Sequence, residues 1–182
     1  MPRIAVVDTA RAEAGVLATL SAVKAKIGMT PNLFSTFAQS AAVLNGYVAF
    51  SDALTKGALT ARQREIIALA VAQANGCEYC LSAHSLMGKG AGLSPDGLRQ
   101  AREGTADDAT DAAVVRFARR VLDTRGQVAD ADLAAARAAG LDDGRLLEII
   151  ANVAINVLTN YTNNAAQTVV DFPKVDVALQ PA

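Results

Sequence analysis

Seven consecutive apolar residues, 66–72, set the strongest constraint on how this chain can fold. They follow Thr60 and Gln63, which have the spacing of a reciprocal capping box, so the run reads as helix rather than strand. A helix that is apolar all round has no face to give to water and must be wrapped by other elements. The helix stops at Asn75-Gly76, a helix-end signal, and a new helix starts at Cys77. The sequence therefore predicts a hairpin of two buried helices, with its turn at Asn75-Gly76.

The segments on either side carry helical periodicity and helix-boundary signals. Val16, Leu17, Leu20 and Val23 recur at helical spacing over about 10–26, closed by Gly28. Thr30 and Pro31 read as N-cap and first helical residue of a short helix through Phe34 and Phe37. Ser40 opens another, with Val43, Leu44, Tyr47, Val48 and Leu54 on its apolar side, ending near Gly57. After the motif helix, 77–88, the glycine-rich stretch 88–92 reads as a flexible turn. Ser94-Pro95 then starts a small polar helix. Asp107, Asp108 and Asp111 lead a longer one closing with Arg116, Arg119, Arg120 and Arg125, the charge order that the helix dipole favours. A short alanine-rich helix covers about 130–139, and a last long one about 143–169. The tail from Asp171-Phe172-Pro173 reads as irregular. No segment alternates with period two, so the expected architecture is a single all-α domain over 1–182. Residues 1–9 read as extended.

Glu65-Ile66-Ile67-Ala68 and Glu148-Ile149-Ile150-Ala151 coincide at an offset of 83 residues. Continued, the offset sets Cys77, Cys80 and His84 against Asn160, Asn163 and Gln167. This reads as a duplicated helical unit, a core at about 59–92 and a degenerate copy at about 141–170, in which only the first copy kept reactive groups.

Composition excludes several classes. Apolar residues make up 52% of the chain, ample for a core, while aromatics at 4% and abundant alanine suit closely packed helices. A formal charge of −1 without a basic cluster argues against nucleic acid or an anionic membrane as partner. The first residues lack the apolar run of a signal peptide, and no stretch approaches an uninterrupted membrane span. A cytoplasmic protein is expected, and there a cysteine pair is more often catalytic or metal-binding than a structural staple.

Both cysteines and the single histidine of the chain fall within residues 77–84. On a helix, Cys77 and Cys80 are i,i+3 neighbours, and Cys80 and His84 are i,i+4 neighbours, so the three share a face. A thiol at the helix start meets the positive end of the dipole and unpaired N–H groups, which favour the thiolate. Glu65 precedes the turn by about 15 Å of helix axis and His84 follows it by about 12 Å, which sets them near one level of the hairpin. The expected chain is carboxylate, imidazole, thiol, thiol: an imidazole to take the Cys80 proton and a carboxylate to orient it. Zinc competes, since Cys77, Cys80, His84 and Glu65 would form a Cys₂HisGlu set. Three ligands on one short helix suit a tetrahedron poorly, so no metal is assigned. Tyr79 is a possible auxiliary donor or an ordinary packing residue. Asn152, Asn156, Asn160 and Asn163 form a polar stripe on the last helix, for which an interface or structural role fits best.

Glu65, eleven residues, Cys77-Glu78-Tyr79-Cys80, three residues and His84 together resemble the core motif of the AhpD-like alkylhydroperoxidases, within the carboxymuconolactone decarboxylase superfamily. Segments 26–34, 160–164 and 171–173 are similar to its peroxidase-related branch. The resemblance implies an all-helical fold and a thiol peroxidase or disulfide reductase working without metal, haem or other cofactor. It implies Cys80 as the peroxidatic cysteine, Cys77 as the resolving one, and Glu65 and His84 as the proton relay. It also implies a hydroperoxide substrate, a dithiol or protein-disulfide reductant, and a homo-oligomer (dimer, trimer or hexamer). Tyr79 stands where the best-studied members carry a second histidine. Two other readings remain open: a cofactor-free decarboxylase acting on a lactone acid, and a non-catalytic redox-sensing helical protein.

Overall fold

The computed structural model describes residues 1–179, and among these every regular element is a helix. In chain order they are α1 (Ala14–Ile27), α2 (Asn32–Phe37), α3 (Ala41–Leu54), α4 (Ala61–Ala74), α5 (Glu78–Gly90), α6 (Pro95–Glu103), α7 (Ala109–Asp123), α8 (Asp130–Ala138) and α9 (Asp143–Ala166). None of the helices is long and apolar enough to cross a membrane.

The architecture is organised around α4, which packs against α5, α6, α7 and α9. Its capping box is complete: Thr60 accepts from the Gln63 N–H, and the Gln63 side chain accepts from the Thr60 N–H. All seven residues of the apolar run are buried, and six of them divide between two cores. Ile66, Leu69 and Ala70 face a core shared with Leu33, Phe37, Leu44 and Leu81. Ile67 and Val71 face the other, shared with Val114, Phe117, Leu146, Ile149 and Val153. Burying each large aliphatic side chain contributes roughly 1.5–3 kcal/mol, so an all-apolar α4 is the most stabilising element the chain could place between two cores.

Most boundaries fall where the local signals put them. Ser40, Ser94, Asp108 and Asp142 each cap a helix through a side-chain oxygen. At the second helix the cap is Pro31 rather than Thr30. The last helix ends at Ala166, three residues early, because Gln167 turns left-handed at φ 53°. A larger correction concerns the expected flexible turn at 88–92, since α5 continues through Gly90. Gly88 lies inside that helix because Leu98 and Leu93 press against it: a Cβ there would sit 2.8 Å and 3.0 Å from their methyl carbons. The absent side chain serves packing, not bending.

The second half of the expected repeat does not fold like the first. Residues 61–90 make two helices and a turn, whereas 143–166 are one continuous helix. The duplicated unit is therefore not confirmed. The tail is irregular, as expected, but it is well anchored. Val170, Phe172, Val175 and Val177 pack on the first core. Arg102 donates to the carbonyls of Asp176 and Val177, Gln73 donates to Val177, and the Val175 N–H donates to Ser82 Oγ. The tail thus forms a strap across α5, which carries the cysteines.

Candidate active site

The turn that presents the cysteines combines a helix end and a helix start in three residues. Gly76 adopts φ +59°, a left-handed conformation open to glycine at little cost. Its N–H reaches Gln73 O, and the Cys77 N–H reaches Ala72 O, the paired bonds of a Schellman ending. Cys77 is at the same time the N-cap of α5, and its Sγ accepts from the Cys80 N–H at 3.2 Å. A sulfur in the capping position faces the unpaired N–H groups of the first turn, where negative charge is favoured.

Cys77 and Cys80 are joined as a disulfide, with Cα atoms 5.3 Å apart. Both residues are almost wholly inside, at 0% and 2% exposure. One turn further along α5, His84 Nδ1 lies 2.8 Å from Glu65 Oε2 on α4. The expected levelling of the two residues across the hairpin is thus present in the structure. With Nδ1–H donated to the carboxylate, a neutral imidazole presents Nε2 as an acceptor. The pair keeps some contact with solvent, at 19% and 17% side-chain exposure.

Tyr79 is otherwise engaged. Its hydroxyl accepts from the Leu33 N–H at 3.2 Å, and its ring meets Phe172 of the strap edge to face. Burial, with the Asp171 carboxylate beside it, pushes the phenol far above its ordinary range. Tyr79 therefore holds its proton and pins α5 between α2 and the strap. Tyr47, placed by the sequence only on the apolar side of α3, belongs near the relay. Burial and the charge of Glu65 push its pKa up to about 12. No pattern in the sequence ties it to Glu65, eighteen residues on and on the next helix.

The asparagine stripe divides into two pairs. Asn152 and Asn156 donate to the carbonyls of Glu148 and Asn152 within their own helix. Asn160 accepts from Asn75 Nδ2 at 3.0 Å, and Asn164 donates to the Asn75 carbonyl at 2.9 Å. Asn163 Nδ2 lies 3.3 Å from Cys80 Sγ. The C-terminal half of α9 therefore clamps the turn and touches the sulfur, a placement that the interface or structural reading did not foresee. Beside this contact a cleft of about 300 Å³ opens, lined by Gly76, Tyr79, Asn163, Gln167 and Thr168 among others. Among the described residues no group of three or more His, Cys, Asp or Glu side chains has metal-holding geometry.

The helical bundle seats a Cys-x-x-Cys disulfide at a helix start, with a carboxylate–imidazole pair one turn on. The carboxymuconolactone decarboxylase family model matches residues 41–124, from α3 into the turn after α7. The structure is similar to that of an AhpD-core, uncharacterised peroxidase-related protein from Ralstonia eutropha JMP134. There the TM-score is 0.85 at 28% identity, over 93% of this chain and 92% of that one. A peroxidase-related protein from Silicibacter sp. TM1040 gives 0.79 at 22% identity, over 91% and 88%. The debrominase Bmp8 shares the fold at 0.74 and 18% identity, over 92% and 91%. No curated protein matches the sequence. The chain thus carries a carboxymuconolactone decarboxylase family match over its middle segment and is similar in fold, over nearly its whole length, to an AhpD-core protein.

Proposed function

We propose that this protein is a thiol-dependent peroxidase that reduces alkyl hydroperoxides through Cys80 and Cys77. The observation that carries the reading is the Cys77–Cys80 disulfide, seated at a helix start one turn from the Glu65–His84 pair. In the reduced protein His84 Nε2 takes the Cys80 proton, and Glu65 holds the imidazole in the tautomer that can do so. The thiolate attacks the terminal oxygen of ROOH. An S–O bond forms, the O–O bond breaks, and the alkoxide leaves as ROH with the proton returned by His84. Cys80 is now a sulfenic acid. Cys77 attacks its sulfur, the S–S bond forms, and water departs. An external dithiol then reduces the disulfide by exchange and is itself oxidised.

The protein works as a homo-oligomer. Exposed apolar side chains on α3 (Val43, Phe50) and α9 (Leu147, Leu158, Tyr161) support self-association, and a reducing compartment such as the cytoplasm fits the need for a dithiol. The deciding experiment measures hydroperoxide consumption with a dithiol for the wild type, Cys80→Ser and Cys77→Ser. Mass spectrometry accompanies it after one equivalent of peroxide. Cys80→Ser is expected to be inactive, and Cys77→Ser to acquire one oxygen on Cys80 and then stall. Full turnover by Cys80→Ser would reject the assignment, and activity indifferent to thiol alkylation would point to decarboxylase-type chemistry. Stoichiometric oxidation without turnover would mark a sensor.

A further inference from the structure

The two sulfurs are not equivalent in their surroundings. Cys77 Sγ has a backbone partner, the Cys80 N–H of its own helix turn. Helix-terminus electrostatics alone would therefore favour the thiolate on Cys77, not on Cys80. Cys80 Sγ has instead a side-chain partner from a remote element, the Asn163 carboxamide of α9. We infer that Asn163 is a catalytic residue of this site: its Nδ2–H donates to Cys80 Sγ and holds negative charge on that sulfur once the disulfide is reduced.

Three observations support the assignment. Asn163 is 4% exposed, so its hydrogen bond is not shared with water. Its Oδ1 is buried without a partner, and so is the Nδ2 of neighbouring Asn160. A half-satisfied buried amide costs stability, and an apolar side chain would pack there at lower cost. Asn163 is thus paid for by something other than folding. The amide orientation also has a physical reason, since turning it over would set an oxygen lone pair against sulfur.

The remaining groups around the sulfurs do not duplicate this donor. From α5 there are Cys77, His84 and Glu78, the last paired with Lys174 of the strap at 3.7 Å. From α4 there is Glu65, bonded to His84. The half of α9 that reaches the site brings amides and no charged residue. A hydrogen bond to a charged partner is about twice as strong as one to a neutral partner, so Asn163 favours the thiolate over the thiol. The inference deepens the peroxidase reading, resting on it only for what the thiolate attacks.

The test needs no peroxide. In a Cys77→Ser background, where serine is itself a good N-cap, Cys80 is the single thiol, and its alkylation by iodoacetamide is followed against pH. Asn163→Ala is expected to raise the apparent pKa of Cys80 by about one to two units. Asn163→Leu, of similar size but with neither the donor nor a charge, is expected to raise it by a similar amount. Circular dichroism checks the fold, and if the alanine variant fails to fold the leucine variant decides alone. With Asn163 intact, its side-chain amide proton resonance is expected to shift along the Cys80 titration. A pKa within about 0.3 units of the parent in the folded variants, or an amide resonance indifferent to the titration, overturns the inference. Loss of peroxidase activity has no bearing on this readout, so the two proposals fail separately.

Discussion

Glu65→Gln is the sharpest probe of the relay, because it keeps the shape of the side chain and removes its charge. In the structure the carboxylate lies 2.8 Å from His84 Nδ1, with more than four-fifths of each side chain out of solvent. A hydrogen bond to a charged group in such a place is worth about 1.5–3 kcal/mol. The bond strengthens as the imidazole takes up the Cys80 proton, so its loss falls on the transition state. At 1.36 kcal/mol per tenfold change, that loss corresponds to about a 10- to 150-fold fall in kcat/KM for hydroperoxide. The assay is a single turnover of pre-reduced protein with peroxide, recorded across a pH series to separate a lost base from a lost fold. As a control, a chemical oxidant should still close the Cys77–Cys80 disulfide. A variant that stays within about twofold of the wild type at every pH would refute the relay, leaving Glu65 a partner of His84 in structure only.

Other perturbations test the packing and the strap. Gly88→Ala gains helix propensity but drives a methyl into Leu98 and Leu93, so a net loss of about 1 kcal/mol is expected. Thermal unfolding reads this as a fall of about 2–4 °C, and an unchanged or higher Tm would refute the close-packing account. Arg102→Ala removes the donors to the Asp176 and Val177 carbonyls. Amide exchange at Val175 is then expected to quicken by about tenfold or more, and an unchanged rate would mean that the strap is held elsewhere. Tyr47 predicts an alkaline weakness. Its folded pKa of about 12 exceeds the ordinary tyrosine value, so the folded state keeps a proton that the unfolded chain gives up. The stability it contributes is whole below about pH 10 and is lost as the pH climbs toward 12. Urea unfolding at about pH 9 and pH 11 should show a decline that is smaller by about 1 kcal/mol in Tyr47→Phe, whereas an identical decline would refute it.

What was legible in the sequence was what neighbours in the chain decide. The capping box at Thr60 and Gln63, the stop at Asn75-Gly76 and the levelling of Glu65 with His84 follow from helix geometry and short spacing. The hidden parts depend on distant partners. Gly88 looks like a hinge until Leu93 and Leu98 come to lie against it. The strap has no periodicity to announce it, because its hydrogen bonds run to Ser82, Gln73 and Arg102. Asn152 and Asn163 belong to one polar stripe in the sequence, yet one serves its own backbone and the other a sulfur. Amide side chains carry no charge or spacing rule that would have separated them.

Asn163 and Cys80 are 83 residues apart, and their separation in space is set by the packing of α9 on α4. Ile149 and Val153 share a core with Ile67 and Val71, two turns or more from the sulfurs. The Cys77 contact, by contrast, lies within one helix turn and travels with it. The local motif therefore supplies two thiols and favours charge on the first of them. The long-range packing supplies the donor that favours charge on the second. A shift of α9 along α4 would alter Cys80 and leave Cys77 as it was, so under the proposed mechanism the choice of attacking sulfur resides in the core of the protein as much as in the motif.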